Sequence, residues 1–520
     1  SVYINSPTAD VVIDGFTIIG NDAANPVLAN SNVVSQASNS LNVTNSRLKV
    51  GARDGGTNND DGIGVLTTFS IGAGAVSVTN NEFMPVNAEG ARAFYINPGT
   101  GTTFNFQNNQ VTGHFTKNAA TECGGLISGN KFTGTGASGG FGAYNFGGPA
   151  CGDPGTYTNN SVTGATTGMY ITGANGVVLT GNSFTDNVTG IFITDVDVTG
   201  TVAHFNRIAN NSSAGIENAT ASVVDAENNW WGCNYGPGVG GTGCAGTANG
   251  ITGAGAANVD ADPWLRLTTS AATPTVIVGG TDVVSSLLTT NSDNNTPGGG
   301  FIWNGTPATF VGTNGAVAPP SSTTTSGATG TIFTGTVPGV GGVATTVDGQ
   351  TVSAPIVVYP ASCAAVSMPT STTLTGASIV VPINTDEMTA RGAIALDTTI
   401  TYNTSVLTFT GAALGTVGTN NIPNGPRLLS VTENVLGTLV ISVLGADEFQ
   451  GSGPLVNLNF NVTGLPATSS AMVFSSFTYN EGTPCSTRTN GLVTVLSGTI
   501  TGEVTYGNAI VGGGPSPRHV

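Results

Sequence analysis

A short phrase keeps returning along the first half of the chain: a few β-forming residues, then Asn, then one large apolar residue. It reads VVIDGFTI from Val11, LNVTNSRL from Leu41, VSVTNNEF from Val76, FNFQNNQV from Phe104 and LISGNKF from Leu126. It continues as TYTNNSV from Thr156, VVLTGNSF from Val177, VAHFNRI from Val202 and VVDAENNW from Val223. With Asp14, Asn45, Asn81, Asn109, Asn130, Asn160, Asn182, Asn206 and Asn229 taken as equivalent, the last four intervals are 30, 22, 24 and 23 residues. A strand-and-turn unit of that length cannot bury its apolar face alone, so successive copies stack into a solenoid. Within VVLTGNSF, Val177 and Leu179 alternate with Val178 and Thr180, which sends one set inward and the other outward. Asn at a coil corner tolerates the left-handed backbone of a tight bend. Stacked at about 4.8 Å, such residues can also bond amide to amide along the axis. Helical periodicity is absent almost everywhere, and the fold class read from these patterns is all-β. The long flat faces of a solenoid suit glycan chemistry, adhesion or assembly.

Composition narrows the partners. Of 520 residues 77 are Gly and only 8% are charged, against about 25% in an ordinary soluble domain. Hydroxyls and amides therefore cover the surface, while 39% hydrophobic content argues against disorder. Twelve basic and 29 acidic residues leave a net charge of −17, which excludes the basic footprint that nucleic acid requires. No apolar run approaches the ~18 residues of a spanning helix, so no membrane insertion is expected. Six cysteines allow fifteen connectivities; sequential pairing, Cys123 with Cys151, Cys233 with Cys244 and Cys363 with Cys485, keeps each bridge local to one segment. Disulfides place the chain in an oxidising, extracellular compartment. It starts on a strand, SVYIN, without Met or a signal peptide, as a processed or partly covered piece of a longer secreted precursor would.

The phrase stops at NNWWGCNYGPG (Asn228 to Gly238), followed by VDADPWL (Val259 to Leu265). Trp230, Trp231 and Trp264 gather there, where an open stack needs a lid. The segment resembles the end of right-handed parallel β-helix repeats of bacterial secreted and surface proteins, in which NNWWG…GP and PWL close the last coil. That resemblance implies a right-handed parallel β-helix over residues 1–265. From 266 to 360, short alternating runs such as PTVIVGG, GTIFTGTVPG and APIVVYP, parted by Gly, Pro and Asn, read as a small Ig-like sandwich with Trp303 in its core. From 361 to 497, TGASIVVPINTDEM, the stretch Tyr402-Asn403-Thr404-Ser405-Val406-Leu407 and the late GPLVNLNFNVTG resemble a cohesin-type jelly roll. The family's Asp and Pro are here Asn403 and Thr404, which touches dockerin binding more than the fold. Residues 498–520 resemble the opening strand of a further small β-domain, or a strand that pairs with an existing sheet by β-augmentation.

A polysaccharide lyase needs a base and charge neutralisation, and the solenoid's cations are sparse, with none between Lys131 and Arg207. The richest patch is SRLKVGARDGGTNNDDG, where Arg47 and Lys49 share an outward face beside a loop with Arg53, Asp54, Asp60 and Asp61. Hydrolysis would want converging carboxylates, for which Asp195 and Asp197 on one face, with Asp186 a corner earlier, are the candidates; the same three are the weak Ca²⁺ option. No other cofactor is expected. His114, His204 and His519 stand isolated, and GTGASGG is the kind of match that a Gly-rich chain produces by chance. The balance favours a non-enzymatic structural protein, secreted or displayed on a bacterial surface. Its expected work is adhesion or self-assembly into an extracellular fibre. Copies of itself, through Val2, Tyr3 and Ile4 at one end and Ile500, Val504 and Tyr506 at the other, or surface glycans are the expected partners. Two alternatives stand beside this: a polysaccharide lyase or hydrolase on the β-helix, and a cohesin-type scaffold with a dockerin-like partner, which the cohesin-like resemblance implies.

Overall fold

A computed structural model describes residues 2–5, 10–19, 33–36, 40–51, 61–66, 75–86, 89–90, 92–97, 103–115, 118–122, 125–144, 155–195, 198–239, 244, 249–361, 363–420, 422–482 and 484–497. The chain divides into two compact units, one of Ser1–Pro274, Asp282–Phe333 and Gly342–Pro355, the other of Thr275–Thr281, Thr334–Gly341 and Ile356–Val520. Both are built from strands.

The first unit opens with a parallel β-helix of three faces. One face stacks Val11–Asp14, Leu41–Thr44, Ala75–Thr79, Thr103–Gln107 and their successors to Val259–Asp260. A second stacks Thr17–Ile19, Arg47–Val50, Glu82–Pro85 and Gln110–Thr112, and a third starts from Val2–Asn5, Val33–Gln36 and Asp61–Leu66. These two merge because Lys131–Tyr144 and Ser161–Thr172 run unbroken through the bend between them. Alternation decides what lies inside. In Leu41–Thr44 and Val178–Thr180 the buried residues are Leu41, Val43 and Leu179, as their period of two requires. The interior is a column of rings: Phe94 stands 4.3 Å from Phe106, Phe132 6.0 Å from Phe141, and Phe141 6.4 Å from Tyr157.

The returning Asn forms a ladder. Asn81, Asn109, Asn130, Asn160, Asn182, Asn206 and Asn229 are all buried. At each step the side-chain oxygen of one Asn accepts both the backbone N–H and the side-chain amide of the Asn one coil earlier. For Asn182 these bonds come from Asn160, at 3.0 and 2.9 Å. The left-handed bend falls one residue earlier, at Asn80, Asn108, Asn159 and Asn228, or at Gly129 and Gly181. This corrects the equivalence drawn from sequence. Asn45 has φ 49°, so it belongs with the bend residues, and Ser46 takes the ladder position, its N–H bonded to Asn81 Oδ1 at 2.9 Å. Asp14 likewise pairs with Thr44, and the bend of that coil is Gly15. The ladder needs a buried amide and the bend needs a residue that accepts positive φ, and only the paired coils show which neighbour does which. A second, shorter ladder runs through Asn187, Asn211 and Asn249.

The coil end is closed by a division of labour between two tryptophans. Trp231 joins the coil's apolar core. Trp230, equally buried, turns its indole N–H the other way, to Asp348 Oδ2 at 2.8 Å. Asp348 lies in the turn between Gly339–Val347 and Gln350–Tyr359, so it seats strands beyond the solenoid against its last coils. Arg207 completes the junction, with Nε 2.9 Å from Asp348 Oδ2, a second guanidinium nitrogen on Oδ1, and Nη1 3.3 Å from Ser183 Oγ. Beyond the coils, Leu265–Ala271 pairs antiparallel with Thr281–Asn291, and Pro307–Thr313 lies between Ser321–Thr323 and Gly339–Val347. Trp303 is half-buried over Gly305, and Ile302 takes the core position expected for it.

In the second unit two sheets face each other. Five strands run Leu407–Leu414, Gly453–Val462, Ser378–Thr385, Ala364–Ser367 and Ser486–Thr489. Six run Thr370–Thr373, Gly491–Val495, Ser469–Tyr479, Ala395–Thr401, Thr438–Leu444 and Leu428–Val435. Their inner faces form one core that includes Val381, Ile400, Ile441, Leu458 and Phe474. Cys363 and Cys485 are bridged at the start of the adjacent strands Ala364–Ser367 and Ser486–Thr489. Cys233–Cys244 is the other bridge among the described residues; Cys123 and Cys151 lie outside them.

Candidate binding surfaces

The residues singled out on the coils are placed as follows. Arg47 is outward-facing, and its Nε lies 2.7 Å from Glu82 Oε2 on the next coil, so the guanidinium is committed to a surface ion pair. Lys49 follows two residues along, half-buried, beyond the buried Leu48. Arg53, Asp54 and Asp60 lie outside the described residues, and Asp61 opens the strand Asp61–Leu66. Asp186 and Asp195 are both exposed in left-handed bends, at φ 56° and 81°. Asp195 therefore stands just past the strand Thr189–Thr194 and does not alternate along one, as the sequence pattern suggested; its Oδ2 accepts a bond from Thr172 Oγ1 at 3.4 Å. Asp197 lies outside the described residues. Among the described residues no three His, Cys, Asp or Glu side chains gather in a way that would hold a metal. His204 is not isolated: its Nε2 lies 2.6 Å from Asp225 Oδ1. The Glu227 carboxyl beside that pair is pushed up by burial and then by the charges of Asp225 and Asp260, with His204 opposing.

Of the assembly residues, Val2, Tyr3 and Ile4 lie in the strand Val2–Asn5, whose partner among the described residues is Val33–Gln36. Ile500, Val504 and Tyr506 lie outside the described residues.

Two surfaces extend beyond these single residues. The first is the outer face of the six-stranded sheet. Register aligns Leu428, Leu444 and Ala395 in one row, Ser430, Ser442, Asp397 and Thr478 in the next, and Thr432, Val440, Thr399 and Ser476 in a third. Leu428, Val440 and Leu444 are exposed by 71%, 44% and 58%, and Asp397 is the charged side chain of these three rows. Ser442 Oγ donates to Asp397 Oδ1 at 2.5 Å, which fixes that carboxylate. At one end the face falls into a cleft lined by Tyr359, Arg391, Ile394, Asn480 and Glu481. The sequence signal was available: TLVISVL carries apolar residues on both parities, so one set must face outward. The outer side of the five-stranded sheet is different, presenting Asn457, Asn459 and Asn461.

The turn Tyr402–Leu407 is held by the side chain of Asn403. Asn403 Oδ1 accepts the Ser405 N–H at 3.0 Å and its hydroxyl at 2.7 Å, as an Asp carboxylate there would. Tyr402 packs edge-on against Phe460 at 5.1 Å and donates its hydroxyl to Glu433 at 2.5 Å. Burial first and the Glu433 carboxylate second push that phenol up to about 12.

The second surface is a groove along the bends of the early coils, lined by Phe16, Asn45, Arg47, Asn80, Asn108 and Gln110 among others.

Comparison with known proteins agrees with this architecture. Residues 119–259 match the family described as "Right handed beta helix region", and residues 364–495 match the family described as "Cohesin domain". The chain thus carries a right-handed β-helix region and a cohesin domain. No curated protein sequence matches it. Similar solved structures include the sixth cohesin of scaffoldin B from Acetivibrio cellulolyticus, crystallised with a dockerin (24% identity, 26% of this chain and 99% of that one, TM-score 0.23). A non-cellulosomal cohesin from the archaeon Archaeoglobus fulgidus matches at 16% identity over 26% of this chain and 93% of that one, TM-score 0.22. A cohesin from Clostridium acetobutylicum matches at 17% over 26% and 91%, TM-score 0.23.

Proposed function

We propose that this protein is a non-enzymatic extracellular scaffold whose cohesin domain holds a dockerin-type module on the outer face of its six-stranded sheet. The observation that carries the reading is that face itself: three exposed aliphatic side chains on a rigid sheet with a single oriented carboxylate, Asp397. Interfaces are typically centred on apolar patches depleted in charge, with polar groups at the rim. The bridges Cys233–Cys244 and Cys363–Cys485 support an oxidising, extracellular setting. On the coils, Arg47 is engaged by Glu82, which leaves that cation poorly placed to neutralise a uronate. The test is capture of calcium-loaded dockerin modules by the full chain, measured by titration calorimetry. A charge set into the centre of the face, Val440→Glu, should weaken binding by at least about tenfold, as loss of a central contact does. Asn459→Ala, on the opposite sheet, should leave it unchanged. Absence of binding across a dockerin panel, or equal binding by both variants, ends this reading.

End-to-end association of copies into a fibre or coat is a second reading. Val11–Asp14 pairs with Leu41–Thr44 and with no other strand among the described residues, and Val12 is 64% exposed there. Unpaired strand edges of this kind template further pairing. Negative-stain microscopy with light scattering separates regular fibres from dispersed particles of 51.6 kDa; the latter outcome removes this reading.

A further inference from the structure

The groove on the early coils belongs to neither reading above. One wall is a row of exposed bend residues, Asn45, Asn80 and Asn108, one from each successive coil. The facing wall is Arg47, Glu82 and Gln110, aligned coil to coil by strand register. Phe16, 61% exposed, stands at the end nearest the first described coil. Each coil therefore supplies one amide and one polar side chain, repeated at the strand spacing of about 4.8 Å.

A periodic receptor selects a ligand of matching period. A β-1,4-linked chain of pyranoses advances by a little more than one coil spacing per sugar and turns each ring over relative to the last, so alternate rings meet equivalent polar groups two coils apart. An extended peptide advances by about 3.3 Å per residue and falls out of register within two coils. Charge narrows the class further. Arg47 and Glu82 neutralise each other at 2.7 Å, and Asn45 Nδ2 is already bonded to the Asp14 carboxylate at 3.0 Å. Among the described lining residues a polyuronate would meet the Glu82 carboxylate and an Arg47 already paired with it, whereas a neutral chain meets hydrogen-bonding groups and, at Phe16, a ring for the C–H face of a sugar. We propose that this groove binds a neutral β-1,4-linked polysaccharide lying along the coil axis. From Phe16 to Gln110 it spans three coil steps, about 14 Å, a seat for three or four sugars.

The experiment is calorimetric titration of the full chain with cellohexaose and mannohexaose, with hexagalacturonate as the acidic comparison. One or both neutral hexamers should bind, and hexagalacturonate should bind at least tenfold more weakly. Phe16→Ala and Gln110→Ala should each reduce affinity at least tenfold with melting unchanged. Asn80→Gly, which retains the left-handed bend, should do the same and shows that the amide matters and not the backbone. The proposal is overturned if no hexamer binds, if the uronate binds as well as the neutral chains, or if the three variants bind like the parent. Dockerin capture by the same variants is expected to be normal, so the two binding activities fail separately.

Discussion

Replacing Asn182 by Ala in the middle of the buried ladder is expected to cost about 3–5 kcal/mol, the sum of two or three buried groups left without partners at about 1–3 kcal/mol each. The Asn182 side chain makes four bonds. Its oxygen accepts the backbone and side-chain N–H groups of Asn160, and its amide donates to Tyr157 O at 2.8 Å and Asn206 Oδ1 at 2.9 Å. Its exposure is zero, so water cannot take over these roles. Asn182→Ser should lose less, because a hydroxyl already serves at the first rung: Ser46 Oγ accepts the Phe16 N–H at 3.1 Å and donates to Thr44 O at 2.8 Å. Asn159→Gly supplies the contrast. Asn159 sits at φ 55° in the bend row, where Gly129 and Gly181 occur naturally, so the change should be within about 0.5 kcal/mol of neutral. In a stacked repeat the loss spreads to neighbouring coils, and hydrogen exchange along Thr156–Thr158, Val178–Thr180 and Thr201–His204 reads it directly. Equal protection in Asn182→Ala and Asn159→Gly would mean that the ladder carries no special weight.

Asp348→Ala is expected to destabilise the first unit by about 3–5 kcal/mol, the usual cost of stripping one partner from a buried ion pair. The Asp348 and Arg207 side chains are 3% and 10% exposed, and the carboxylate also accepts the Trp230 indole N–H. Removing it takes the acceptor from the Trp230 indole and leaves the buried guanidinium with its bond to Ser183 Oγ. Because Asp348 has φ 49°, Ala adds backbone strain of about 1 kcal/mol; Asp348→Asn avoids that strain and isolates the loss of charge. Adding Arg207→Met to Asp348→Asn should recover much of the loss, since a buried pair is often no better than an apolar replacement. Urea denaturation of the parent, Asp348→Asn, Arg207→Met and the double variant gives the cycle. Additive losses would show that the two residues do not act as a pair.

The coils were legible because their information is local. A turn, an amide and an apolar residue lie within eight positions, and the copy number repeats the message. What escaped was a shift of one residue, at Asn45 and Ser46, since both neighbours are polar and only the pairing of Arg47 with Glu82 and Thr44 with Thr79 fixes which one is buried. The second ladder had a signal that went unread, the recurrence of Asn five residues after the first in Asn182/Asn187 and Asn206/Asn211. The division between Trp230 and Trp231 had none, because the acceptor for Trp230 lies 118 residues away.

By itself the sequence determined the all-β class, the stacking of the coils and the alternation that fills them, because period, turn chemistry and side-chain polarity act between near neighbours. It also carried the cohesin-type resemblance of the last third. Only the tertiary structure decided that Arg47 faces Glu82, that Asp348 anchors Arg207 and Trp230, and that Leu428, Val440 and Leu444 share one exposed face. Those outcomes depend on which strands lie side by side, and strand pairing is set by the closing of long loops around a common core, not by any window of the chain.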